Sequence, residues 1–434
     1  MIVQMKRFIK DLPGPVAIVG MGKSGEAAKR LLLLCGLPAK DLATFDGKLP
    51  SANYSHSEKL MSEFKPQTLV VSPGVPLSSP WIQEAKKNGV VITSEISLSC
   101  ACLENEKLIG VTGSVGKSTT VSILGAGLAA FSNTGFVGGN LGTPFAEYVS
   151  DVLDGKRSRA DWIILELSSY QLENCAGLSL DYSAITYFTA NHLERYLSLD
   201  EYYETKWKIL SLTKHKMLVN ARGGDLVSYA KDQGSHEMVS VITKEDPALL
   251  SLKLSEAHLI GSHNQDNLAL SASIALAAGW PPSAIEGMKS FKGLSHRLEN
   301  VGTFNGLRFI NDSKATAMDS VLIAAQAASE SRENKGQLYL LLGGRDKNLP
   351  WDLLSNLKDL PQTTFVFFGE CREIAQGKSQ LPGSSFQRLE EALDFTIETA
   401  KPGDTVLLSP GGTSLDEFKS FEDRGDFFKR KVQT

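Results

Sequence analysis

The stretch Lys107-Leu-Ile-Gly-Val-Thr-Gly-Ser-Val-Gly-Lys-Ser-Thr-Thr120 decides the fold of this chain. Its first six residues have the character of a buried strand, and residues 121–130 have the pattern of a helix. The glycine-rich turn between them lets backbone N–H groups approach phosphate oxygens, and the helix N-terminus adds its dipole. Lys117 supplies a cation for the β and γ phosphates, and Ser118 supplies a hydroxyl for Mg²⁺. The stretch therefore predicts a phosphate-binding P-loop.

The spacing of this turn departs from the common P-loop at one position. The usual pattern has a glycine five residues before Gly116, where this chain has Val111, and Gly110 lies one residue earlier. A plain glycine-rich connection between strand and helix is the alternative interpretation. The pair Lys117-Ser118 favours the P-loop, because it stands where phosphate and metal chemistry need it.

Length and composition are those of an ordinary globular protein. The 434 residues are too many for a single core and suggest about three domains. A net charge of −4 gives no general attraction to nucleic acid or to anionic lipid, so an anionic ligand needs a local basic pocket. The five cysteines have neither disulfide nor zinc spacing, and we expect reduced thiols. With no signal peptide and no membrane span in the pattern, we expect a cytoplasmic protein, without membrane insertion and monomeric.

The N-terminal part of the chain has the pattern of a βαβ nucleotide-binding domain. A first strand leads into the loop Gly20-Met-Gly-Lys-Ser-Gly25, and a second strand ends at Asp46. NAD is the usual ligand of such a loop, with Asp46 on the ribose, but another nucleotide diphosphate is equally compatible because Lys23 suits a pyrophosphate. A purely structural turn is the third interpretation. The strands expected here are Pro15–Val19, Leu42–Phe45, Leu69–Val71 and Val90–Thr93.

Polar residues end the expected strands of the central and C-terminal parts. Glu166 ends the apolar strand Trp162–Glu166 and can reach a Mg²⁺ held by Ser118, although a strand-end acid facing water is the alternative. His192 in a polar loop and Lys206 on an aromatic-rich helix carry no signal by themselves. The other expected elements are strands Tyr182–Tyr187, Leu307–Asn311, Leu338–Leu342, Thr364–Phe368 and Thr405–Leu408, and the helix His263–Ala278.

The C-terminal strand ends carry acids, cations and hydroxyls suited to an anion. If Lys314, Lys347 and Ser414 converge, they form an anion pocket. A small carboxylate can also bind at the N-terminus of the helix expected over Leu415–Phe421. Alone, each of these side chains reads as a solvated surface group.

A set of motifs taken together closely resembles the bacterial Mur ligases over essentially the whole chain. The motifs occur in the family's order and are Gly113–Thr119, Gly138–Gly142, Glu166–Glu173, Asn191–Tyr196, His263–Asn267, His296-Arg297, Asn311–Thr316 and Ser409–Phe418. The resemblance implies an α/β fold of three domains: an N-terminal Rossmann-like domain, a central P-loop ATPase-like domain and a C-terminal Rossmann-like domain. We place them at residues 1–97, 98–299 and 300–434.

The resemblance also implies the reaction. The match is closest to the member that adds D-glutamate to UDP-N-acetylmuramoyl-L-alanine in peptidoglycan precursor synthesis. ATP would phosphorylate the L-alanyl carboxylate, and the amine of D-glutamate would attack the acyl phosphate. The substrates and cofactors implied are therefore ATP, two Mg²⁺ ions, the UDP-sugar and D-glutamate. On this view the N-terminal glycine loop binds UDP and not NAD.

The motif matches assign residues to the catalytic centre and to each of the implied binding pockets. Lys117, Glu166, His192 and Lys206 are implied to be catalytic, and Ser118, Glu166, His192 and a carbamylated Lys206 to hold the metal ions. The implied ATP-binding residues are Gly113, Ser114, Val115, Gly116, Lys117, Ser118, Thr119, Asn264, Asn267, Arg297 and Asp312. The implied UDP-sugar residues are Gly22, Lys23, Ser24, Asp46, Ser72, Asn140 and Ser168. The implied amino-acid residues are Lys314, Thr316, Lys347, Ser414, Leu415 and Phe421.

Two residues depart from the family's pattern, and alternative functions stay open. Family members usually carry Asn at Val115 and Asp at Asn191, so a contact in the ATP loop and a charge near the second metal are missing. A folylpolyglutamate synthase-like ligase is the alternative within the superfamily. A nucleotide-binding regulator and an NAD-dependent dehydrogenase are alternatives from other classes.

Overall fold

Three sheets organise the part of the chain that the structure, a computed structural model, describes: residues 12–189, 195–257, 259–316, 318–332 and 336–433. Contacts divide the chain into two units. The first unit comprises the residues up to 253 together with 266–288, and the second comprises 254–265 and 289–434. The first two sheets lie in the first unit and the third sheet lies in the second. No helix in the described ranges is long and apolar enough to cross a membrane.

The first sheet is parallel, with strand order β2-β1-β3-β4, because its strands are joined by crossover connections. Strand β1 is fully buried, as its unbroken apolar sequence predicts. The order reverses direction around β1, and such a switch point opens a crevice at the carboxyl ends of β1 and β3. The elements are β1 (Val16–Val19), α1 (Lys23–Leu34), β2 (Leu42–Phe45), α2 (Ser57–Lys59), β3 (Thr68–Val71), α3 (Pro80–Lys87) and β4 (Val91–Thr93).

The second sheet is also parallel, with order β10-β9-β8-β5-β7-β6. Strand β5 lies between β7 and β8, so the loops that follow these three strands meet at one edge. Its strands are β5 (Lys107–Thr112), β6 (Phe136–Gly139), β7 (Trp162–Glu166), β8 (Leu180–Ile185), β9 (Thr213–Asn220) and β10 (Val239–Ile242). The helices are α4 (Glu95–Cys100), α5 (Lys117–Ala129), α6 (Phe145–Leu153), α7 (Ser169–Leu172), α8 (Leu199–Trp207), α9 (Leu226–Asp232), α10 (Pro247–Leu250), α11 (Ser262–Ala277) and α12 (Pro282–Lys289).

The third sheet has order β11-β12-β16-β13-β14-β15 and is mixed, because β11 runs antiparallel at its edge. Its strands are β11 (Glu299–Phe304), β12 (Leu307–Asn311), β13 (Leu338–Gly343), β14 (Thr363–Phe368), β15 (Gly383–Ser385) and β16 (Thr405–Gly411). The helices are α13 (Met318–Glu330), α14 (Arg372–Ser379), α15 (Leu389–Thr399) and α16 (Phe421–Gln433). The predicted α/β fold is confirmed, and the ends of the expected strands lie within three residues of the observed ones, the largest difference being at β16, which continues from Leu408 to Gly411.

One predicted helix is wrong. Residues 415–417 form a single turn, closed by the Phe418 N–H bonding to the Ser414 carbonyl at 2.8 Å, and the helix begins only at Phe421. The acids of this stretch serve tertiary contacts instead. The Glu417 carboxylate accepts the N–H of Leu389 at 3.1 Å, and Asp416 accepts that of Glu370 at 3.1 Å. Residue 415 therefore does not provide the helix N-terminus at which the sequence predicted that a small carboxylate ligand binds.

Candidate active site

The predicted P-loop is a strand, a turn and a helix, as its sequence requires. Strand β5 ends at Thr112, and α5 begins at Lys117 with Gly116 as its N-cap at φ +87°. Gly113 has φ +145°, and a Cβ there would lie 2.1 Å from the Thr186 hydroxyl. Both positions require glycine. Because the chain has glycine at each of them, it can form this turn and expose the backbone N–H groups.

The turn is fixed to the loop after β8 and to α8. The Ser114 hydroxyl donates to the Thr189 carbonyl at 2.9 Å and accepts from the Thr189 N–H and from the Tyr202 hydroxyl. The Val115 carbonyl accepts from the Thr186 hydroxyl at 2.5 Å, while its side chain is exposed. These bonds make Ser114 an anchor of the P-loop, and Thr186 and Tyr202 are supporting residues that the sequence did not reveal.

Two lysines meet at one carbonyl of this turn. The Lys117 Nζ donates to the Gly113 carbonyl at 2.7 Å, and the Lys206 Nζ donates to the same oxygen at 2.9 Å. Lys206 is 1% exposed, and its Nζ lies 4.7 Å from the centre of the Tyr202 ring. Burial, followed by the charge of Lys117, lowers the pKa of Lys206 well below its usual value, against an opposing effect of Glu166. The structure thus places Lys206 at the P-loop with a proton that is easily lost.

Glu166 offers a buried carboxylate oxygen to a cation. It ends β7 beside Val111 of β5 and is 2% exposed, which excludes the interpretation of an acid facing water. Its Oε1 accepts from the Asn140 Nδ2 at 2.7 Å, and its Oε2 is buried without a hydrogen-bond partner among the described residues. A buried, unpartnered carboxylate oxygen fits a bound metal ion.

The other metal residues of the prediction are less defined. Ser118 is half-buried in the first turn of α5. His192 and Asn191 lie outside the described residues. Within the described ranges no group of three or more His, Cys, Asp and Glu side chains is arranged to hold a metal.

A cavity of about 540 Å³ opens at the switch point of the first sheet. Of the residues predicted for the UDP-sugar, six line it: Gly22, Lys23, Ser24, Asp46, Ser72 and Asn140. Ser168 lies outside the lining; it caps α7, where its hydroxyl accepts the Gln171 N–H at 3.3 Å, and Gln171 itself lines the cavity. Further lining residues, which the sequence did not assign to this pocket, include Phe45, Lys48, Pro73, Gly74, Val75, Gly139, Gly142 and Pro144.

Asp46 and Ser72 hold the glycine loop of this cavity in shape. The Asp46 carboxylate accepts the N–H groups of Met21 and Lys48, both at 2.9 Å, and these bonds lower the pKa of Asp46. The Ser72 hydroxyl donates to the Gly20 carbonyl at 2.7 Å. The loop therefore faces the cavity with a fixed backbone at the N-terminus of α1, which suits an anionic group.

Asn267 lies against the P-loop, on α11. Its Oδ1 is 3.3 Å from the Thr120 hydroxyl, and it would be 2.9 Å from a Cβ placed on Gly116. Asn264 on the same helix belongs to the second unit, where its Nδ2 donates to the Ile260 carbonyl at 2.7 Å. The structure thus brings Asn267 to the turn that the sequence assigned to ATP.

In the second unit, the loops after β12, β13 and β16 are bonded to one another. Arg345 and Thr413 pair through two backbone bonds of 2.8 and 2.9 Å, and the Gly411 N–H donates to the Ala315 carbonyl at 2.9 Å. The residues predicted to bind the amino acid lie on these loops or just after them: Lys314, Thr316, Lys347, Ser414, Leu415 and Phe421. The Lys314 Nζ lies 4.0 Å from the centre of the Phe421 ring.

Two buried groups brace these loops. The Asp312 carboxylate accepts from the Ser409 hydroxyl at 2.8 Å and from the Leu298 N–H at 3.1 Å, and burial raises its pKa to about 7. Arg424, which the sequence did not reveal, is fully buried and donates to the Ser313 carbonyl at 2.9 Å and the Gly412 carbonyl at 3.2 Å. Arg297, beside Leu298, is exposed.

Two known domain families match the sequence: the Mur ligase middle domain over residues 111–276 and the Mur ligase glutamate ligase domain over residues 296–412. A UDP-N-acetylmuramoylalanine-D-glutamate ligase from Myxococcus xanthus is 33% identical, over 96% of this chain and 98% of that protein. A protein of the same name from Haemophilus influenzae is 31% identical with the same coverage.

Solved structures share the fold at low identity. The UDP-N-acetylmuramate-alanine ligase of Thermotoga maritima has a TM-score of 0.57 and 16% identity, covering 97% of this chain and all of that one. A MurF ligase of the same organism, in complex with ADP, has a TM-score of 0.55 and 14% identity, covering 87% and 92%. Because the sequence relatives exceed 30% identity over nearly their full length, the chain belongs to the Mur ligase family, in the group of the UDP-N-acetylmuramoylalanine-D-glutamate ligases.

Proposed function

We propose that this chain joins D-glutamate to UDP-N-acetylmuramoyl-L-alanine with ATP, releasing ADP and phosphate. The observation that carries the proposal is the position of Asn140, which lines the switch-point cavity and also donates to the buried carboxylate of Glu166. One side chain thus joins the cavity for the sugar nucleotide to the edge of the sheet that carries the P-loop. A nucleotide-binding regulator would not need a second cavity connected to the P-loop in this way.

The chemistry is a phosphoryl transfer followed by an acyl transfer. A carboxylate oxygen of the L-alanyl group attacks the γ-phosphorus of ATP, and ADP leaves. The unprotonated amine of D-glutamate then attacks the carbonyl carbon of the acyl phosphate. The tetrahedral intermediate expels phosphate, the nitrogen loses a proton, and an amide remains. Positioning and neutralisation of charge dominate such barriers, and Lys117 and the P-loop N–H groups supply both.

Glu166 and Ser118 are proposed to hold one Mg²⁺, and His192 and Lys206 a second. When bound, the ions neutralise charge on the phosphate oxygens. Lys206 can serve a metal only as an anion, and a carbamate supplies one: the neutral amine adds to CO₂ and loses a proton. The burial that lowers the pKa of Lys206 favours this step, because only the neutral amine is nucleophilic.

For D-glutamate we propose the bonded loops of the second unit. Lys314 and Lys347 offer charge to the two carboxylates, and Thr316 and Ser414 offer hydroxyl donors. Leu415 and Phe421 add apolar contact. This assignment leaves the amine of D-glutamate free of donors, as its attack on the acyl phosphate requires.

A coupled phosphate-release assay tests the proposal. Release should require ATP, UDP-N-acetylmuramoyl-L-alanine and D-glutamate together, and a panel of amino acids should leave D-glutamate preferred. Lys117→Ala should lower turnover by roughly 10²–10³, the usual effect of removing one preorganised charge. Lys107→Ala, an exposed lysine at the opposite end of β5, is the control and should keep its turnover. Release without an amino acid, or use of a folate substrate, would contradict the proposal.

A further inference from the structure

We propose that Arg195 is a positioning residue that ties two walls of the switch-point cavity together and thereby sets the affinity for the UDP-sugar. The proposal rests on the proposed function, because it assigns the UDP-sugar to this cavity. One wall is the loop after β3, which contains Pro73 and Val75. The other wall is α7, which contributes Gln171.

The guanidinium group reaches the first wall through backbone carbonyls. Its Nη1 donates to the Pro73 carbonyl at 3.1 Å, and its Nη2 lies 3.5 Å from the Val75 carbonyl. Both residues line the cavity, together with Gly74 between them. A single side chain from the part of the unit that is built on the second sheet thus fixes the direction of a loop that belongs to the first sheet.

The guanidinium group also contacts α7 and Glu173, the residue that follows this helix. The Glu173 carboxylate accepts from Nε at 3.1 Å and from Nη2 at 2.6 Å, and it also accepts from the Tyr196 hydroxyl at 2.7 Å. The guanidinium carbon lies 4.2 Å from the centre of the Tyr170 ring. The side chains of Arg195 and Glu173 are only 10% and 17% exposed, so solvent screens this pair weakly.

Only arginine can make these contacts at once. Its planar fork serves a carboxylate with one edge and two carbonyls with the other, while its face rests on an aromatic ring. A lysine keeps the charge but has a single nitrogen, so it cannot bridge Glu173 and the loop with the same geometry. Replacing Arg195 by lysine therefore keeps the charge and removes the link between the two walls.

The test compares Arg195→Lys with Arg30→Lys in the full-length enzyme. Arg30 on α1 also bridges the first sheet to the central part of the unit, with its Nη2 at 2.8 Å from both Asp151 and Asp154, but it does not line the cavity. We expect Arg195→Lys to raise the KM for UDP-N-acetylmuramoyl-L-alanine roughly 10- to 100-fold, as loss of charged hydrogen bonds does. The KM for ATP and the kcat at saturating sugar should stay within about threefold. Arg30→Lys should leave all of these parameters unchanged.

Two further measurements separate positioning from folding. Glu173→Gln should raise the same KM, and the double variant should be no worse than Arg195→Lys alone, because both changes break one link. Calorimetric titration of UDP-N-acetylmuramoyl-L-alanine should show the same loss of affinity in Arg195→Lys and in Glu173→Gln, and no loss in Arg30→Lys. An unchanged KM in Arg195→Lys, or an equal loss in all parameters and in thermal stability, would overturn the inference. A wild-type enzyme that ignores the UDP-sugar would instead refute the proposed function.

Discussion

Lys206→Met should separate stability from activity in this enzyme. Methionine has nearly the length of lysine but no charge, so it can fill the buried position beside the Tyr202 ring. The variant should bind no second metal and should lose turnover by roughly 10² or more, as loss of a group that neutralises transition-state charge does. Its fold should be at least as stable as that of the wild type, because a costly buried amine is removed.

The size of the stability effect follows from proton linkage. Burial lowers the pKa of Lys206 in the folded protein, whereas the unfolded chain keeps the usual value near 10.4. Between these two values the unfolded state binds one proton more than the folded state. The free energy of unfolding of the wild type therefore rises with pH by about 1.4 kcal/mol per unit and falls as the pH is lowered. Lys206→Met lacks this contribution.

The assay is thermal unfolding in CO₂-free buffer without ligands, at pH 8.5 and 9.5. The difference in free energy of unfolding between Lys206→Met and the wild type should be larger at pH 8.5 than at pH 9.5 by about 1.4 kcal/mol, or roughly 1.5–2.5 °C in a chain of this size. Lys208→Met, which changes an exposed lysine two residues away, is the matched control and should follow the wild type.

Parallel pH profiles of the wild type and Lys206→Met would refute the reasoning that burial depresses the pKa of this lysine. A second arm tests the carbamate itself. Labelled bicarbonate should give a carbamate carbon signal by NMR in the wild type and none in Lys206→Met. Equal signals in both proteins would remove Lys206 as the site of carbamylation, whatever the activity of the variant.

Three further changes have defined outcomes. Burial raises the pKa of Glu95 to about 7, so the folded state holds an extra proton between about pH 4.5 and 7, and wild-type stability falls as the pH rises through this window. Glu95→Gln can still accept the Ala146 N–H. Its stability relative to the wild type, measured by thermal unfolding, should therefore increase by up to about 3 kcal/mol between pH 5 and 8. A stability difference that does not change with pH would contradict this. Gly116→Ala should cost about 1–3 kcal/mol from its positive φ and its contact with Asn267, and calorimetry should show weaker ADP binding. Glu166→Gln should lower activity by roughly 10² and raise the Mg²⁺ concentration needed; an unaltered Mg²⁺ titration would exclude Glu166 as a ligand.

The sequence predicted most of the fold because buried parallel strands are short apolar runs that end in glycine or polar residues. Strand β11 is different. Its residues, Glu299–Phe304, mix polar and apolar side chains at a sheet edge, so no apolar run predicts the strand. The helix expected over Leu415–Phe421 was wrong for a tertiary reason. The acids of that stretch accept N–H groups of residues distant in the sequence, Glu370 and Leu389, and the local pattern contains no information about such partners.

The positions of the candidate residues in the fold were predictable where a chemical motif and a strand end coincide, as in the P-loop and in Glu166 at the end of β7. They were not predictable where the fold alone assembles them. Gln171 reaches the cavity because α7 follows a strand next to β5, and Arg195 acts through the carbonyls of a loop about 120 residues earlier in the chain. Arg424 lies in a charged helical sequence that suggests solvent, yet it is fully buried. Burial of such groups is a property of packing and not of local sequence.

The most direct test of the central claim is the fate of oxygen during turnover. UDP-N-acetylmuramoyl-L-alanine with ¹⁸O in its alanyl carboxylate is incubated with ATP, D-glutamate and the enzyme, and the released phosphate is analysed by mass spectrometry. Attack of the carboxylate on the γ-phosphorus, followed by loss of phosphate from the tetrahedral intermediate, predicts one ¹⁸O atom in each phosphate formed. Unlabelled phosphate released together with the amide product would show that no acyl phosphate forms and would contradict the account.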